Sequence, residues 1–233
     1  MRHTGEWPGS IVLRHGLSKS IARPWNRDVP DAHLTLIRGT ADFLSECADH
    51  LRAMGVPSVA SSPLPSSATR LWKEAGYRPF ERLDVFAREL TGDLPDPGIT
   101  VDAERAQDWD AVERVDRSSF EPFWRLDAAG LREAFTAAPR SVLLTARAPD
   151  LLGFSIVGVG SVAGYLQRIA VTPDAQGRGL GRSLVRASMQ WAHRHGAREM
   201  LLNTLPNNDT ASGLYVDEGF FQLDDHLDIL RKG

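Results

Sequence analysis

The stretch AVTPDAQGRGLGRSLV, residues 170–185, places three glycines and two arginines where a helix is about to begin. Helix propensity opposes this, because an interior Gly costs about 1 kcal/mol relative to Ala. Helix electrostatics oppose it too: the start of a helix carries partial positive charge and favours Asp or Glu, not Arg178 and Arg182. The pattern implies that something negative sits there. Before it, GYLQRIAVT reads as a strand, with Leu166, Ile169 and Val171 among its apolar residues. After it, Leu180, Leu184, Ser188, Trp191 and His195 form one stripe at helical spacing. Arg178, Arg182, Arg186, Gln190 and Arg194 form a second stripe, four residues apart. The first is expected to pack on a sheet and the second to face out, with Arg186 and Arg194 on a solvated face.

Strand, glycine-rich turn and helix start together make an anion site. Unpaired backbone N–H groups converge there, and glycine lets a ligand approach the main chain. Each hydrogen bond to a charged oxygen is worth about 1.5–3 kcal/mol, so several hold a pyrophosphate. A P-loop needs Gly-Lys-Ser/Thr at the helix start, and none is present. A dinucleotide-binding fingerprint needs a third glycine where this chain has Arg182 or Leu184. What remains is Gln176-x-x-Gly179-x-Gly181.

The surrounding chain is mixed α/β. TGDLPDPGIT, residues 91–100, reads as a linker, with two prolines and two glycines. After it come the short strand GITVDAE and two helices, QDWDAVERVDRSSF and DAAGLREAFTAA, the second capped by Asp127. RSVLLTARA and LLGFSIVGVG form a hairpin about Pro149-Asp150. The strand and central helix described above follow. REMLLNTL is then a strand, DTASGLYVDEG a helix, and FFQLDDHLDILRK one or two last strands.

This order and these motifs resemble the GNAT superfamily of acyl-CoA-dependent N-acyltransferases. The resemblance runs from near Pro97 to Gly233. IAVTPDAQGRGLGRSLV looks like the superfamily's strand and pyrophosphate loop. NTLPNNDTASGLYVDEGF looks like its next strand and helix. The resemblance implies a mixed, mostly antiparallel central sheet flanked by helices. It also implies acetyl-CoA as co-substrate, a primary amine of a small molecule or a protein N-terminus as acceptor, and no metal. Main-chain groups of Ile169, Ala170 and Val171 are then expected to meet the pantetheine arm. Gln176, Gly177, Arg178, Gly179, Leu180, Gly181 and Arg182 form the pyrophosphate loop, and Asn208 contacts the cofactor. Tyr215 matches the tyrosine that protonates the departing thiolate. Asn203 stands where some members carry a Glu that helps take the amine's proton. Asn cannot act as that base, but it can hold a water or the substrate. A Lys-type amine is only about 0.04% neutral at pH 7, so deprotonation needs help. Asp116, Glu121, Asp224 and Asp225 are the candidate bases, each also readable as a solvated surface acid. Phe120, Phe123 and Trp124 are read either as lining the acceptor pocket or as core.

The first ninety residues repeat part of this pattern. Leu64-Pro65 corresponds to Leu205-Pro206 and Gly76 to Gly219, and Trp72 falls where Tyr215 lies. No Gln-x-x-Gly-x-Gly precedes the upstream helix. Residues 1–93 are therefore expected to be a truncated, non-catalytic GNAT-like domain, and residues 98–233 the catalytic one. The tandem arrangement resembles mycothiol synthase, with nothing in the residues to fix that substrate. The alternative reading is an acyl-CoA-binding regulatory or interaction protein that has lost catalysis.

Composition narrows the classes. The chain is 42% hydrophobic and 24% charged with net charge -3. Neither half is basic enough for electrostatic binding to nucleic acid. No apolar run reaches the roughly 20 residues of a membrane span, and the N-terminus lacks the apolar core of a signal peptide, so a cytoplasmic location is expected. The single Cys47 reads as core rather than nucleophile. His193 and His195, two apart on a helix, point in different directions and make poor joint metal ligands.

Overall fold

The structure, a computed structural model of the chain, describes residues 1–104 and 108–233. Its contacts divide the chain into two compact units: Met1–Asp84 with Asp224–Gly233, and Val85–Leu223.

The first unit begins with three antiparallel partners, β1 (Arg2–Thr4), β2 (Ile11–His15) and β3 (Ser18–Pro24), followed by β4 (Ala32–Arg38). Alternation sets their inner face: Ile11, Leu13, Ala22, Ala32 and Leu34 are fully buried. Helix α1 (Ala41–Ala53) presents Phe43, Leu44, Cys47, Ala48 and Leu51 at three- and four-residue spacing to that face. It leads to β5 (Val59–Ser61), which lies parallel to β4 in the register Ala32–Leu34 with Val59–Ser61. The short β6 (Leu64–Pro65), α2 (Thr69–Glu74) and the start of β7 (Arg78–Glu89) follow. The unit is completed from the other end of the chain. The last strand pairs Arg231 with Ala60 and Lys232 with Val59, and Leu230 is buried in the same core as Trp72 and Tyr77. Cys47 lies in this core with its thiol pushed up to about 11 by burial, which suits a packing residue and not a nucleophile.

The second unit starts with the end of β7, whose Phe86 enters its core together with Leu90 just beyond the strand. It continues through β8 (Asp102–Ala103), α3 (Trp109–Ser119), α4 (Ala128–Thr136), β9 (Arg140–Arg147), β10 (Leu151–Val159), β11 (Ala163–Val171), α5 (Leu180–Arg194), β12 (Glu199–Thr204) and α6 (Asp209–Asp217) to the start of β13 (Phe221–Lys232). Gln107, the first residue of the helical pattern expected at α3, lies outside the described residues. Strands β8, β9, β10 and β11 are antiparallel neighbours, and β12 joins β11 in parallel. Both faces of β10 are covered. Ser155 meets Ser188 of α5, with 2.9 Å between the hydroxyl oxygens, while Phe154 and Ile156 pack with Val112, Val115 and Leu131 of α3 and α4. Each unit thus holds a mixed, mostly antiparallel sheet flanked by helices, with one parallel pair spanned by its longest helix. That is the expected fold class.

One expectation about α5 is overturned. Arg186 and Gln190 do not face bulk solvent. Gln190 donates to Pro95 O at 3.0 Å, Arg186 to Asp96 O at 3.0 Å and Ser183 to Pro97 O at 2.6 Å, so the proline-rich linker is laid along this face. Arg186 also grips Glu218 through two hydrogen bonds of 2.8 and 3.0 Å, and that carboxylate is 1% exposed. Burying the carboxylate requires the partner, because an unpaired buried charge costs several kcal/mol. The arginine stripe is therefore partly an internal adhesive.

Candidate functional site

Strand β11 carries a bulge. Its ladder with β10 pairs Val157 with Leu166 and Ile156 with Arg168, which leaves Gln167 as the extra residue. On its other side, β11 pairs with β12 only from Ala163–Tyr165 to Glu199–Leu201. Beyond that register an edge of β11 opens. Thr172 N–H bonds to Leu152 O at 2.8 Å, so Thr172 and, two residues back, Ala170 turn their backbone groups towards β10. Ile169 and Val171, which alternate with them, turn theirs to the open edge. The Val171 carbonyl is already held there by Ser119 Oγ and Gln176 Nε2, each at 3.1 Å. Gln176, expected to bind cofactor, thus ties the loop to the strand through its side chain.

The loop ends at a helix start of unusual kind. Gly177 and Gly179 have φ of +73° and +81°, a left-handed conformation in which a β-carbon is strained. Gly179 is the N-cap of α5 and provides no side-chain oxygen. By contrast, Thr40 caps α1, Asp108 caps α3, Asp127 caps α4 and Asn208 caps α6 with side-chain hydrogen bonds. The first helical bond of α5 runs from Ser183 N–H to Gly179 O. The amides of Leu180, Gly181 and Arg182 therefore have no acceptor within the helix. Arg178 is exposed beside them. Arg182 is partly committed, 2.9 Å from Asp217 and 3.3 Å from Glu218.

Asn203 is exposed on β12, two residues beyond its pairing with β11. Asn208 caps α6 by accepting from Ala211 N–H at 3.2 Å. Tyr215 projects from α6 into the core, 4% exposed, between Phe86 and Phe220. Burial pushes its phenol up to about 12, so it is a proton donor, not an acceptor, at neutral pH. In the first unit Trp72 makes the equivalent pairing, with Tyr77.

Asp116 is not the surface acid the sequence allowed. It is 0% exposed and bound bidentately by Arg168, whose Nε lies 2.6 Å from Oδ2 and Nη2 3.0 Å from Oδ1. Oδ1 also accepts from Leu126 N–H at 2.8 Å. Arg168 donates to Trp124 O at 2.7 Å and lies 3.5 Å over the Phe120 ring. This buried pair clamps the segment between α3 and α4, where Phe120, Phe123 and Trp124 sit. The sequence held a signal for it. Val112, Val115, Asp116 and Ser119 share one helical face, so the acid lies on an apolar stripe, and Arg168 interrupts an apolar strand with the opposite charge. Arg168→Met leaves Asp116 buried without its counter-ion. A stability loss of about 3–5 kcal/mol is expected, read as the shift in the urea midpoint. An unchanged midpoint would show the pair to be dispensable.

Asp224 and Asp225 belong to the first unit, and Ser66 Oγ donates to Asp225 at 2.8 Å. His195 stacks on Trp191 at 4.0 Å and donates from Nδ1 to the Trp191 carbonyl. Among the described residues no cluster of His, Cys, Asp and Glu is arranged to hold a metal, and no helix is long and apolar enough to cross a membrane.

Comparison with known proteins agrees with this geometry. The model of the acetyltransferase (GNAT) family matches residues 104–220. A mycothiol acetyltransferase of Nocardioides sp. is 30% identical over 187 residues, 68% of this chain and 63% of that protein. The alignment therefore spans less than two thirds of that relative's length. Among solved structures, a tandem GNAT protein from the clavulanic acid biosynthesis pathway superposes with a TM-score of 0.65 at 14% identity, covering 96% of this chain and 82% of that one. A GCN5-related N-acetyltransferase from Sphaerobacter thermophilus gives 0.58 at 18%, covering 97% and 80%. The open edge of β11, the uncapped glycine turn and the buried tyrosine of α6 lie inside the matched segment, and the chain belongs to the GNAT family of acetyltransferases.

Proposed function

We propose that the second unit transfers an acetyl group from acetyl-CoA to a primary amine. The observation that carries this reading is the start of α5. Gly179 caps it without a side chain, and its first amides have no intrahelical acceptor, where every other helix of eight or more described residues closes its own N-terminus. In this reading the amides from Gly177 to Arg182, with Arg178, hold the pyrophosphate. Ile169 and the Val171 N–H hold the pantetheine amides along the open edge and orient the thioester. Asn203 binds the acceptor from the facing strand. Tyr215 gives its proton to the sulfur as the carbon–sulfur bond breaks.

The first unit lacks the equivalent of this anion site. Its corresponding helix, α1, starts at Thr40, whose hydroxyl accepts from Phe43 N–H at 3.3 Å, and the Phe43 ring fills the space beside Gly39. Trp72 offers no acidic hydroxyl. We read residues 1–93 as non-catalytic on these grounds. Calorimetry with CoA on the full chain is therefore expected to give one site per chain with micromolar affinity, about -8 kcal/mol. No heat at millimolar CoA would overturn the cofactor assignment, and two sites would overturn the reading of the first unit. The alternative, an acyl-CoA-binding protein without turnover, predicts the same binding with no acetylation across a panel of amines.

A further inference from the structure

Two helices of the second unit carry charge at the wrong end. Arg178 and Arg182 flank the positive start of α5, and α6 finishes on Asp217 and Glu218, where the last carbonyls already make the end negative. The two ends lie together: a β-carbon added at Gly181 would meet Leu214 Cδ2 at 3.5 Å. Two ion pairs of different kind join them. Arg186 holds Glu218 at 2.8 Å with the carboxylate 1% exposed, a pair fixed by burial. Arg182 holds Asp217 at 2.9 Å with the side chains 42% and 62% exposed, and meets Glu218 at 3.3 Å. An exposed pair of this kind contributes little to the fold and exchanges readily with another anion. The core therefore needs Glu218, but it does not need Asp217. What Asp217 does is hold the Arg182 guanidinium.

Arg182 has a second place to go. Its own amide is the third of α5, among those with no acceptor in the helix. Its side chain is long and flexible enough to fold back over an oxyanion held by that amide. Resting on the reading that puts the pyrophosphate there, we propose that Asp217 sets the affinity for CoA by competing with the pyrophosphate for the Arg182 guanidinium. The structure shows the first of the two pairings, Arg182 with Asp217. The second is with phosphate oxygens, which the guanidinium meets as a fork of two donors. Asp217 is then left to water, at small cost because it is already exposed. The carboxylate thus lowers the affinity for CoA by the free energy of the pair that binding must break, and by the same amount favours release of the spent cofactor. Glu218 cannot take this part, because Arg186 and burial fix it.

The test is calorimetry with CoA on the full chain and on Asp217→Asn, Arg182→Gln and the double variant. Asp217→Asn is expected to tighten binding about two- to fivefold, the range of an exposed ion pair. Arg182→Gln is expected to weaken it about three- to thirtyfold, the loss of charge-assisted hydrogen bonds less the pair that no longer has to break. The double variant is expected to match Arg182→Gln, because Asp217 acts through the arginine. Asp217→Glu keeps the carboxylate and is expected to stay within about a factor of two of the parent chain. Asp217→Ser is expected to repeat the gain of Asn, which frees the test from how one variant folds. A gain from Asp217→Asn that persists in the Arg182→Gln background would reduce the effect to the field of one negative charge and overturn the inference, as would unchanged affinity in either single variant. No binding of CoA by the parent chain at millimolar ligand would overturn the pyrophosphate reading itself, and the inference with it.

Discussion

Tyr215→Phe is expected to lower the turnover number about 10²–10⁴-fold and to leave CoA affinity within about a factor of two. The substitution removes one oxygen and keeps the ring between Phe86 and Phe220, so packing and folding are preserved. On the proposed reading, what disappears is the proton for the departing sulfur. A thiolate leaving without a proton forms at the full cost of its charge. As proposed, the phenol would avoid this by sharing its proton as the carbon–sulfur bond stretches. Burial makes the group suitable: with the phenol pushed up to about 12, it stays protonated at every pH where an amine is a useful nucleophile. The decisive comparison is kcat against KM for acetyl-CoA. A loss confined to kcat marks an interaction made in the transition state. Wild-type turnover in Tyr215→Phe would assign Tyr215 to packing alone and leave water or the substrate as the proton source.

The local elements were legible because their causes are local. The glycines at 177, 179 and 181 announced the helix start. The Pro149-Asp150 turn between RSVLLTARA and LLGFSIVGVG announced a hairpin, and Asp127 announced the start of α4, where its side chain accepts from Gly130 N–H at 2.9 Å. The superfamily resemblance then converted order into topology. What stayed hidden depends on residues far apart in the chain. Arg186 reads as solvated until the linker and Glu218 are brought to it, 90 and 32 residues away. Asp116 and Arg168 are 52 residues apart, and only their meeting turns two ordinary charges into a clamp. The residues 224–233 read as the end of the second half, because a strand's own pattern does not say which neighbour it will pair with. The pairing of Arg231 and Lys232 with β5 places them in the first unit. The roles of Asn203 and Asn208 were carried by the resemblance. The structure adds that Asn208 already has a helix to cap, so contact with a cofactor would have to use its remaining amide donors.

Gly179→Val is expected to reduce CoA affinity by about 10²–10⁴-fold, the loss of roughly two charge-assisted hydrogen bonds at 1.5–3 kcal/mol each. Two effects act together. At φ of +81° a β-branched residue is strained, so the turn shifts and the amides of Leu180, Gly181 and Arg182 no longer converge. The new side chain also stands where, on the proposed reading, the ligand approaches the main chain. The protein itself tolerates the added atoms, because a β-carbon at Gly179 meets only Ile99 Cδ1, at 3.8 Å. The core beneath, built on Leu184, Val185 and Met189, is untouched. Gly179→Asn separates the two effects. Asn adopts the left-handed conformation with little strain, so the turn survives and only the approach is blocked. Loss of CoA binding in both variants, with thermal midpoints near that of the parent chain, assigns the site to close backbone approach. Loss in Val alone assigns it to the shape of the turn. Retained micromolar binding in Gly179→Val would move the pyrophosphate away from the start of α5 and remove the observation on which the proposed function rests.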